Sequence, residues 1–195
     1  HGYRSIADDF DWIKYSRNHF VPAGKAGVTM AITVRPARTA DVLAIRDLVE
    51  NYAGDGPRLL RKNTVTLYED VQEFYVAELD EKIVGCGALH VMWHDLGEIR
   101  TVAVDPAIKG QGVGSQILHA LTQRAINLGL TKLFCLTFET QFFTGHGFMP
   151  IEESPVDAST FAELLLSGDQ GVAEFLDLEH VKPNTLGNTR MLKQL

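Results

Sequence analysis

The sequence predicts an α/β fold, with a mixed and mostly antiparallel central sheet of six to seven strands that is flanked by helices. Three observations lead to this class. Short apolar runs typical of strands alternate with stretches that repeat their apolar residues at helical spacing. Three of the strands follow one another directly, which indicates an antiparallel meander. A later strand–helix–strand passage requires a crossover, and a crossover joins parallel strands.

The first predicted elements are a strand over residues 32–34 and a helix after it. Thr39 is expected to cap this helix, with Asp41 in its first turn. One face of the helix carries its apolar residues, which are Val42, Ile45, Leu48 and Val49. Glycine and proline in the stretch 54–57 end the helix, and residues 66–71 are predicted to form a second, shorter one.

The three strands of the meander are predicted over residues 74–79, 83–91 and 98–104. The first two are joined by residues 80–82, a connection of hairpin length, and Asp105-Pro106 stops the third. A glycine-rich turn at 110–114 then leads into a helix over 113–128. The remaining predicted elements are a strand over 132–138, a short helix over 140–144, a strand after Gly147-Phe148, a helix over 161–166 and a last strand over 191–195.

Length and composition limit the classes of function. A chain of 195 residues fits one domain, and we expect residues 1–29 to be an N-terminal extension, tag or linker and residues 30–195 to be the domain. The net charge is −7, from 18 Lys plus Arg against 25 Asp plus Glu, which argues against nucleic acid as a partner because phosphate attraction needs a basic face.

The sequence also argues against a membrane span and against a metal site. Its longest apolar run is about half of the ~20 residues that a spanning helix needs, and no signal peptide is visible. Cys86 and Cys135 both lie inside apolar runs, so neither a disulfide framework nor a thiolate metal site is expected. We therefore expect a cytoplasmic protein without a membrane partner.

The glycine-rich turn is the most informative segment. Gly110, Gly112 and Gly114 leave amide groups uncovered at the start of a helix, where the helix dipole favours an anion, and Lys109 adds a positive charge. A pyrophosphate fits such a site. The turn lacks the Gly-Lys-Ser/Thr ending of a Walker loop, and Ile117 stands where the dinucleotide-binding fingerprint needs its third glycine.

These residues resemble a known family. The strand with Val104-Asp-Pro106, the loop from Lys109 to Gly114 and the apolar helix are similar to the acyl-CoA loop of the GNAT superfamily of N-acetyltransferases, with Lys109 where Arg or Gln is usual. The segment from Phe142 to Phe148 resembles the Phe-Tyr-x-x-x-Gly-Phe segment of the superfamily. The resemblance covers residues 32 to 152 and implies the GNAT fold and acetyl-CoA as acyl donor.

The resemblance also implies where acetyl-CoA binds. The backbone of the fourth strand would contact the pantetheine amides, and the glycine loop would hold the pyrophosphate. The residues expected to bind acetyl-CoA are Val102, Ala103, Val104, Lys109, Gly110, Gln111, Gly112, Val113, Gly114 and Ser115.

Transfer by direct attack needs a group that accepts a proton from the amine. Strand alternation places Glu98, Arg100, Val102 and Val104 on one face of the fourth strand, and Glu98 is the best candidate for the base, directly or through water. The alternative interpretation of Glu98 is a salt bridge with Arg100. Phe143 occupies the position of the tyrosine that often protonates the leaving thiolate in the superfamily, and His146 nearby is more typical of a structural role.

A second resemblance concerns the acceptor. Four segments are similar to the acetyltransferase domain of N-acetylglutamate synthase, which acetylates L-glutamate at the start of arginine biosynthesis: 59–62, 83–89, 97–104 and 133–137 with Gly147-Phe148. The chain resembles a short, stand-alone form of that enzyme. The substrate is then L-glutamate or L-glutamine. The expected substrate-binding residues are Arg61, Lys62, Arg100, Asn188 and Thr189.

Alternative functions stay open at this point. Another amine, such as a polyamine, an aminoglycoside or a protein N-terminus, is one alternative, which the acidic net charge favours slightly because it steers cations. A non-catalytic module that senses acyl-CoA is the other, which Phe143 favours slightly. A homodimer is compatible with the sequence but is not specified by it.

Overall fold

The computed structural model describes residues 31–53, 63–176 and 187–195. Its strands are β1 (Thr33–Pro36), β2 (Phe74–Leu79), β3 (Lys82–Val91), β4 (Leu96–Val104), β5 (Lys132–Thr137), β6 (Met149–Pro150) and β7 (Thr189–Gln194). Its helices are α1 (Val42–Ala53), α2 (Thr64–Glu69), α3 (Val113–Asn127), α4 (Thr140–Thr144), α5 (Ala158–Leu164) and α6 (Gln170–Phe175). The expected extension at 1–29 and the domain boundary at residue 30 lie outside the described residues.

The strands form one seven-stranded sheet in the order β1-β2-β3-β4-β5-β7-β6. Strands β1 to β4 pair antiparallel with their neighbours, as do β5 with β7 and β6 with β7. Strands β4 and β5, which α3 connects, pair in parallel. The predicted mixed and mostly antiparallel sheet, with its meander and its parallel crossover, is therefore confirmed.

Helix α3 packs very closely on one face of the sheet. A Cβ atom added to Gly87 of β3 would lie 2.8 Å from Cγ2 of Ile117, and one added to Gly85 would lie 2.9 Å from Cδ1 of the same side chain. Glycine in β3 therefore lets the helix approach the backbone of the strand. The buried cluster on this face includes Leu121, Leu133 and other residues of α3, β4 and β5.

The opposite face of the sheet is covered in two parts. Helix α1 packs over β2, β3 and the end of β4, with Ile45, Phe74 and Ala103 in its cluster. Helices α5 and α6 pack over the beginning of β4 and over β5, with Phe134 and Phe175 edge to face at 4.9 Å between ring centroids. The polar groups of the candidate site lie on this face.

Local details differ from the predictions in three places. The carboxylate of Asp41, rather than Thr39, stabilises the start of α1, because its Oδ2 accepts a hydrogen bond of 2.7 Å from the backbone N–H of Arg38. Helix α5 covers Ala158–Leu164 instead of 161–166, because Asp157 caps it. Helix α6 was not predicted, since it has only six residues.

Candidate active site

Strands β4 and β5 separate after a short stretch of pairing. They pair through Leu96 with Lys132, Gly97 with Leu133 and Glu98 with Phe134. Strand β4 continues to Val104 and β5 continues to Thr137. The two strands thus form an opening at the carboxyl edge of the sheet, and Glu98 lies where the opening begins.

The glycine loop borders the same edge of the sheet. Gly110 and Gly112 have φ angles of +86° and +80°, which glycine adopts without strain, and an added Cβ at either would meet nothing within 4 Å. Gly112 is the N-cap of α3 and no side chain caps this end of the helix. Backbone amides at the start of a 15-residue helix are thus exposed on an open surface, an arrangement that fits a pyrophosphate.

The first turn of α3 lies beside the end of β4. A Cβ added to Gly114 would lie 3.4 Å from Cζ of Phe142 and 3.7 Å from Cγ2 of Val104. The side chain of Lys109 is exposed, and its Nζ lies 3.7 Å from Oε1 of Glu139. The loop, the end of β4 and α4 are therefore neighbours, as a ligand that contacts both the strand and the loop requires.

A β-bulge in β4 overturns the predicted alternation of its side chains. Thr101 has a φ of +58°, and the register between β3 and β4 shifts between Cys86 and Ala88. Glu98 and Arg100 lie on the face covered by α1 and α6. Val102 and Val104 pack against the cluster on the α3 face, so the expectation that all four share a face is wrong. The extra residue at the bulge reverses the faces.

Glu98 is 3% exposed and lies in a group of charged side chains. Its Oε2 is 3.7 Å from Nη1 of Arg100. The same Nη1 donates to Oδ1 of Asp169 at 2.8 Å, and Nη2 donates to Oε2 of Glu73 at 3.0 Å. His90, which lies opposite Glu98 on β3, contacts the other oxygen of Glu73 at 2.6 Å. The charged-cluster residues are therefore Glu73, His90, Glu98, Arg100 and Asp169.

The charged cluster shifts the pKa values of its members. Burial alone would raise the pKa of Glu73, but the hydrogen bond with His90 and the nearby guanidinium of Arg100 outweigh it and lower that pKa. The pKa of Asp169 is lowered in the same way, because its bond to Arg100 outweighs its burial. Burial would lower the pKa of Arg100, but Glu98 and the other carboxylates raise it. Glu73 and Asp169 are thus carboxylates and Arg100 is a cation at neutral pH.

The predicted substrate-binding residues lie in different places. Arg61 and Lys62 fall outside the described residues. Thr189 pairs with Thr137, so Asn188 and Thr189 lie beside the end of β5, at the edge of the sheet where the opening is. Arg100 donates to carboxylates of this chain, and the predicted salt bridge to Glu98 is present within the charged cluster. The roles of all five toward a substrate stay predictions.

Phe143 and His146 have structural surroundings. Phe143 is buried and packs edge to face on Phe148, with 5.2 Å between ring centroids. Nδ1 of His146 lies 2.7 Å from the backbone oxygen of Phe142, within the short helical segment. Both cysteines are buried, and burial raises the pKa of Cys86 to about 12 and raises that of Cys135 as well. Neither thiol is a nucleophile at neutral pH.

Sequence reasoning missed several polar residues of this region. Glu73, His90 and Asp169 join the charged cluster, although Asp169 is 69 residues from Arg100 in the chain. Arg190 donates to the backbone oxygen of Phe175 at 2.7 Å, and its guanidinium lies 5.8 Å from the ring centroids of Phe134 and Phe175. A signal existed for Arg190, because it directly follows the Asn188-Thr189 pair that the resemblance had marked.

Comparison with known proteins decides the family. The Acetyltransferase (GNAT) family pattern matches residues 43–148 of this chain. The amino-acid acetyltransferase of Mycobacterium tuberculosis is 62% identical over 162 residues, which make up 82% of this chain and 92% of that protein. This chain belongs to the acetyltransferase (GNAT) family. It is accordingly an acetyltransferase, and the predicted acyl donor, acetyl-CoA, is the donor of this GNAT enzyme.

Solved structures agree with this GNAT assignment. The crystal structure of Rv2747 from Mycobacterium tuberculosis, in complex with CoA and NLQ, has a TM-score of 0.81 and 61% identity, covering 84% of this chain and 99% of that chain. N-acetylglutamate synthase from Neisseria gonorrhoeae, complexed with coenzyme A and N-acetyl-glutamate, has a TM-score of 0.67 at 23% identity, covering 89% of this chain and 36% of that chain. The second likeness is evidence of the fold alone.

Two searches of the GNAT enzyme for other site types gave negative results over residues 31–53, 63–176 and 187–195. Within those ranges, no helix has the length and apolar character needed to cross a membrane. Within the same ranges, no set of three or more His, Cys, Asp or Glu side chains is arranged to hold a metal ion.

Proposed function

We propose that this enzyme transfers the acetyl group of acetyl-CoA to the α-amine of L-glutamate or L-glutamine, at the first step of arginine biosynthesis. The observation that carries the proposal is the 62% identity, over 82% of the chain, to a protein named amino-acid acetyltransferase. A relative at 61% identity was solved with CoA and NLQ, and the more distant synthase was solved with N-acetyl-glutamate. Amino-acid N-acetylation is thus supported by relatives, and the choice of amino acid is the proposal.

The proposed seat of acetyl-CoA follows from the opening and the loop. The pyrophosphate would meet the backbone amides from Gly110 to Ser115, where the start of α3 is exposed. The pantetheine would lie along β4 at Val102–Val104, where β4 has parted from β5. These assignments direct the thioester toward the beginning of the opening, which is where Glu98 lies.

The proposed reaction is a direct transfer. The neutral α-amine attacks the thioester carbonyl carbon, a C–N bond forms, the C–S bond breaks and the electron pair leaves with the CoA sulfur. The amine loses one proton, which Glu98 accepts directly or through water, and the thiolate gains one from solvent. Solvent is proposed for the second proton because Phe143, which stands at the usual tyrosine position, has no hydroxyl and is buried.

The carboxylates of the substrate need donors. Arg61 and Lys62 are proposed to hold them, because an arginine binds a carboxylate with two parallel hydrogen bonds. Asn188 and Thr189 are proposed as further polar contacts, supported by their position beside the end of β5. Glutamate and glutamine differ by one terminal group, so a single contact in this pocket decides between them.

One observation favours a second candidate acceptor. The charged cluster has three carboxylates against one guanidinium, and His90 adds a positive charge only when protonated. An excess of negative charge next to the opening attracts a cation, and a polyamine or an aminoglycoside carries several. A protein N-terminus and a non-catalytic acyl-CoA sensor remain weaker alternatives, with no structural feature that favours them.

The glutamate proposal is tested by kinetics of the Arg61→Ala variant. We expect its KM for L-glutamate to rise by roughly 10- to 100-fold, the loss of a bidentate charged contact, while its kcat changes little. Arg46→Ala is a matched control, because Arg46 is an α1 residue whose guanidinium pairs with Asp47. An unchanged KM in Arg61→Ala would remove that residue from the pocket.

Two expectations about the setting of the reaction are also part of the proposal. The cytoplasm is proposed as its location, in agreement with two buried cysteines that carry no disulfide. A homodimer is proposed only as compatible with the fold, and sedimentation would test it.

A further inference from the structure

Arg100 connects three separate parts of the chain. It lies on β4, and its two terminal nitrogens reach Glu73, which directly precedes β2, and Asp169, which directly precedes α6. Asp169 is itself fixed, because the same Oδ1 accepts from the backbone N–H of Val172 at 3.0 Å. The side chain of Arg100 is 10% exposed. Its guanidinium is therefore held from both sides, at the distance from Glu98 given above.

The backbone of α6 closes over this ion pair. A Cβ added to Gly171 would lie 2.6 Å from Nη1 of Arg100 and 2.8 Å from Oε2 of Glu98. Real Cβ atoms do not approach so closely, so any side chain at position 171 must displace one or both of these groups. Because the crowded atoms are the tips of side chains and not backbone, the displacement changes the cluster without breaking a helix or strand.

We propose that Arg100 and Gly171 are positioning residues for Glu98: Arg100 holds the carboxylate at the beginning of the β4–β5 opening, and Gly171 leaves room for that arrangement. The inference rests on the proposed role of Glu98 as the base. It gives the guanidinium of Arg100 a role toward the protein's own carboxylates, in contrast to the predicted role in substrate binding. The two roles have different kinetic signatures.

The first test compares Gly171→Ala with Gly168→Ala. An added Cβ at Gly168 meets nothing within 4 Å, so this variant is a control three residues away in the chain. We expect Gly171→Ala to lower kcat by roughly 10- to 100-fold, since a displacement of about 1 Å can cost that much. KM for the amino acid and Kd for acetyl-CoA are expected to stay within about threefold, and Gly168→Ala within about twofold of the original kcat.

The second test covers the case in which Gly171→Ala does not fold, as judged by acetyl-CoA binding. Arg100→Gln and Arg100→Lys are measured in the same assay. A positioning role predicts a loss in kcat for Arg100→Gln, with part of the loss restored by Lys, which keeps the charge. A rise in KM of tenfold or more at unchanged kcat would assign Arg100 to substrate binding and overturn the inference, as would full kcat in Gly171→Ala.

Glu98→Gln separates this inference from the function on which it rests. If Glu98→Gln loses kcat while the folded Gly171→Ala and Arg100→Gln variants keep it, the positioning roles are wrong and the base stands. If Glu98→Gln keeps its kcat, the proposed base and the positioning roles fail together. If neither glutamate nor glutamine is acetylated, the proposed substrate fails, and the same variants are compared on whichever amine the enzyme acetylates.

Discussion

Gly112 is fixed by two separate requirements at the scale of a single residue. Its φ of +80° lies in the left-handed region, and it begins α3 at the point where amide groups must stay open to a phosphate. Gly129, at the other end of the same helix, has a φ of +85° and equally open surroundings. The two glycines therefore separate the conformational cost of a side chain from its cost to a ligand.

We expect Gly112→Ala to raise the Kd for acetyl-CoA by roughly tenfold or more, because a disturbed loop loses hydrogen bonds to a charged phosphate. Gly129→Ala is expected to lose a similar ~1 kcal/mol of folding stability from its left-handed backbone while keeping the Kd. Calorimetric titration with acetyl-CoA and urea unfolding measure both quantities. Equal Kd values in the two variants would argue against pyrophosphate binding at the loop.

Single residues also mark where sequence reasoning succeeds and where it stops. Glu98 could be selected from the sequence, since it stands on a strand at a position that a family resemblance covers. The surroundings of Arg100 could not, because Glu73 and Asp169 are 27 and 69 residues away and belong to a loop and a helix boundary. Ion pairs between distant segments leave no periodic pattern in a sequence.

At the scale of elements, the contact between α3 and β3 depends on the absence of side chains in the strand. Gly87 faces Ile117 and Leu121 of α3, and a Cβ there would lie 2.8 Å and 3.1 Å from them. Gly87 also lies opposite the bulge in β4. The helix that presents the glycine loop is thus held close to the strands that form the opening.

We expect Gly87→Ala to lower the free energy of unfolding by about 1–3 kcal/mol, because the added methyl overpacks the contact with α3. Gly168→Ala, whose Cβ is unopposed, is the control and is expected to change stability by less than ~0.5 kcal/mol. Urea unfolding followed by circular dichroism measures both. A Gly87→Ala variant as stable as the original enzyme would show that α3 can move away from the sheet at little cost.

The bulge at Thr101 is the element-scale feature that the sequence did not reveal. Periodicity gave the strand, its partners and its neighbouring crossover correctly, yet strict alternation placed Val102 and Val104 on the wrong face. One additional residue in a strand reverses the faces after it, and threonine at a φ of +58° carries no warning in its side-chain type. The opening itself also follows from tertiary structure, because two strands can separate without any change in local pattern.

At the scale of the whole molecule, three lowered carboxyl pKa values link stability to pH. The pKa values of Asp41, Glu73 and Asp169 are lowered, with Arg35 bonded to Asp41 and Arg100 bonded to the other two. A carboxyl group with a lowered pKa binds fewer protons when folded than when unfolded at intermediate pH. Its contribution is therefore complete above the ordinary carboxyl pKa of roughly 4 and is lost as the pH falls through the lowered value.

We expect the free energy of unfolding to be constant in its carboxyl contribution above about pH 5 and to fall steadily below about pH 4. Urea unfolding at a series of pH values measures it. In Arg100→Gln the fall is expected to be shallower, because the contributions of Glu73 and Asp169 are already reduced. An unfolding free energy that rises as the pH drops from 5 to 3 would contradict these pKa directions.

The order of the sheet is the whole-molecule property that the sequence predicted well. The meander, the parallel crossover and a final strand near the C-terminus follow from alternation and from connection lengths. The insertion of β7 between β5 and β6 does not, because the last strand pairs across a gap in sequence that no turn chemistry specifies. That insertion brings Asn188 and Thr189 beside the opening.

Acetyl-CoA-dependent release of free thiol, measured for this enzyme with L-glutamate, L-glutamine, spermidine, an aminoglycoside and a short peptide, tests the central claim most directly. The account predicts turnover with glutamate or glutamine and little with the other amines. Turnover confined to spermidine or the aminoglycoside would contradict the amino-acid proposal and give the negative charge of the cluster the role of attracting a cationic acceptor. Binding of acetyl-CoA without turnover on any amine would contradict catalysis of amino-acid acetylation altogether.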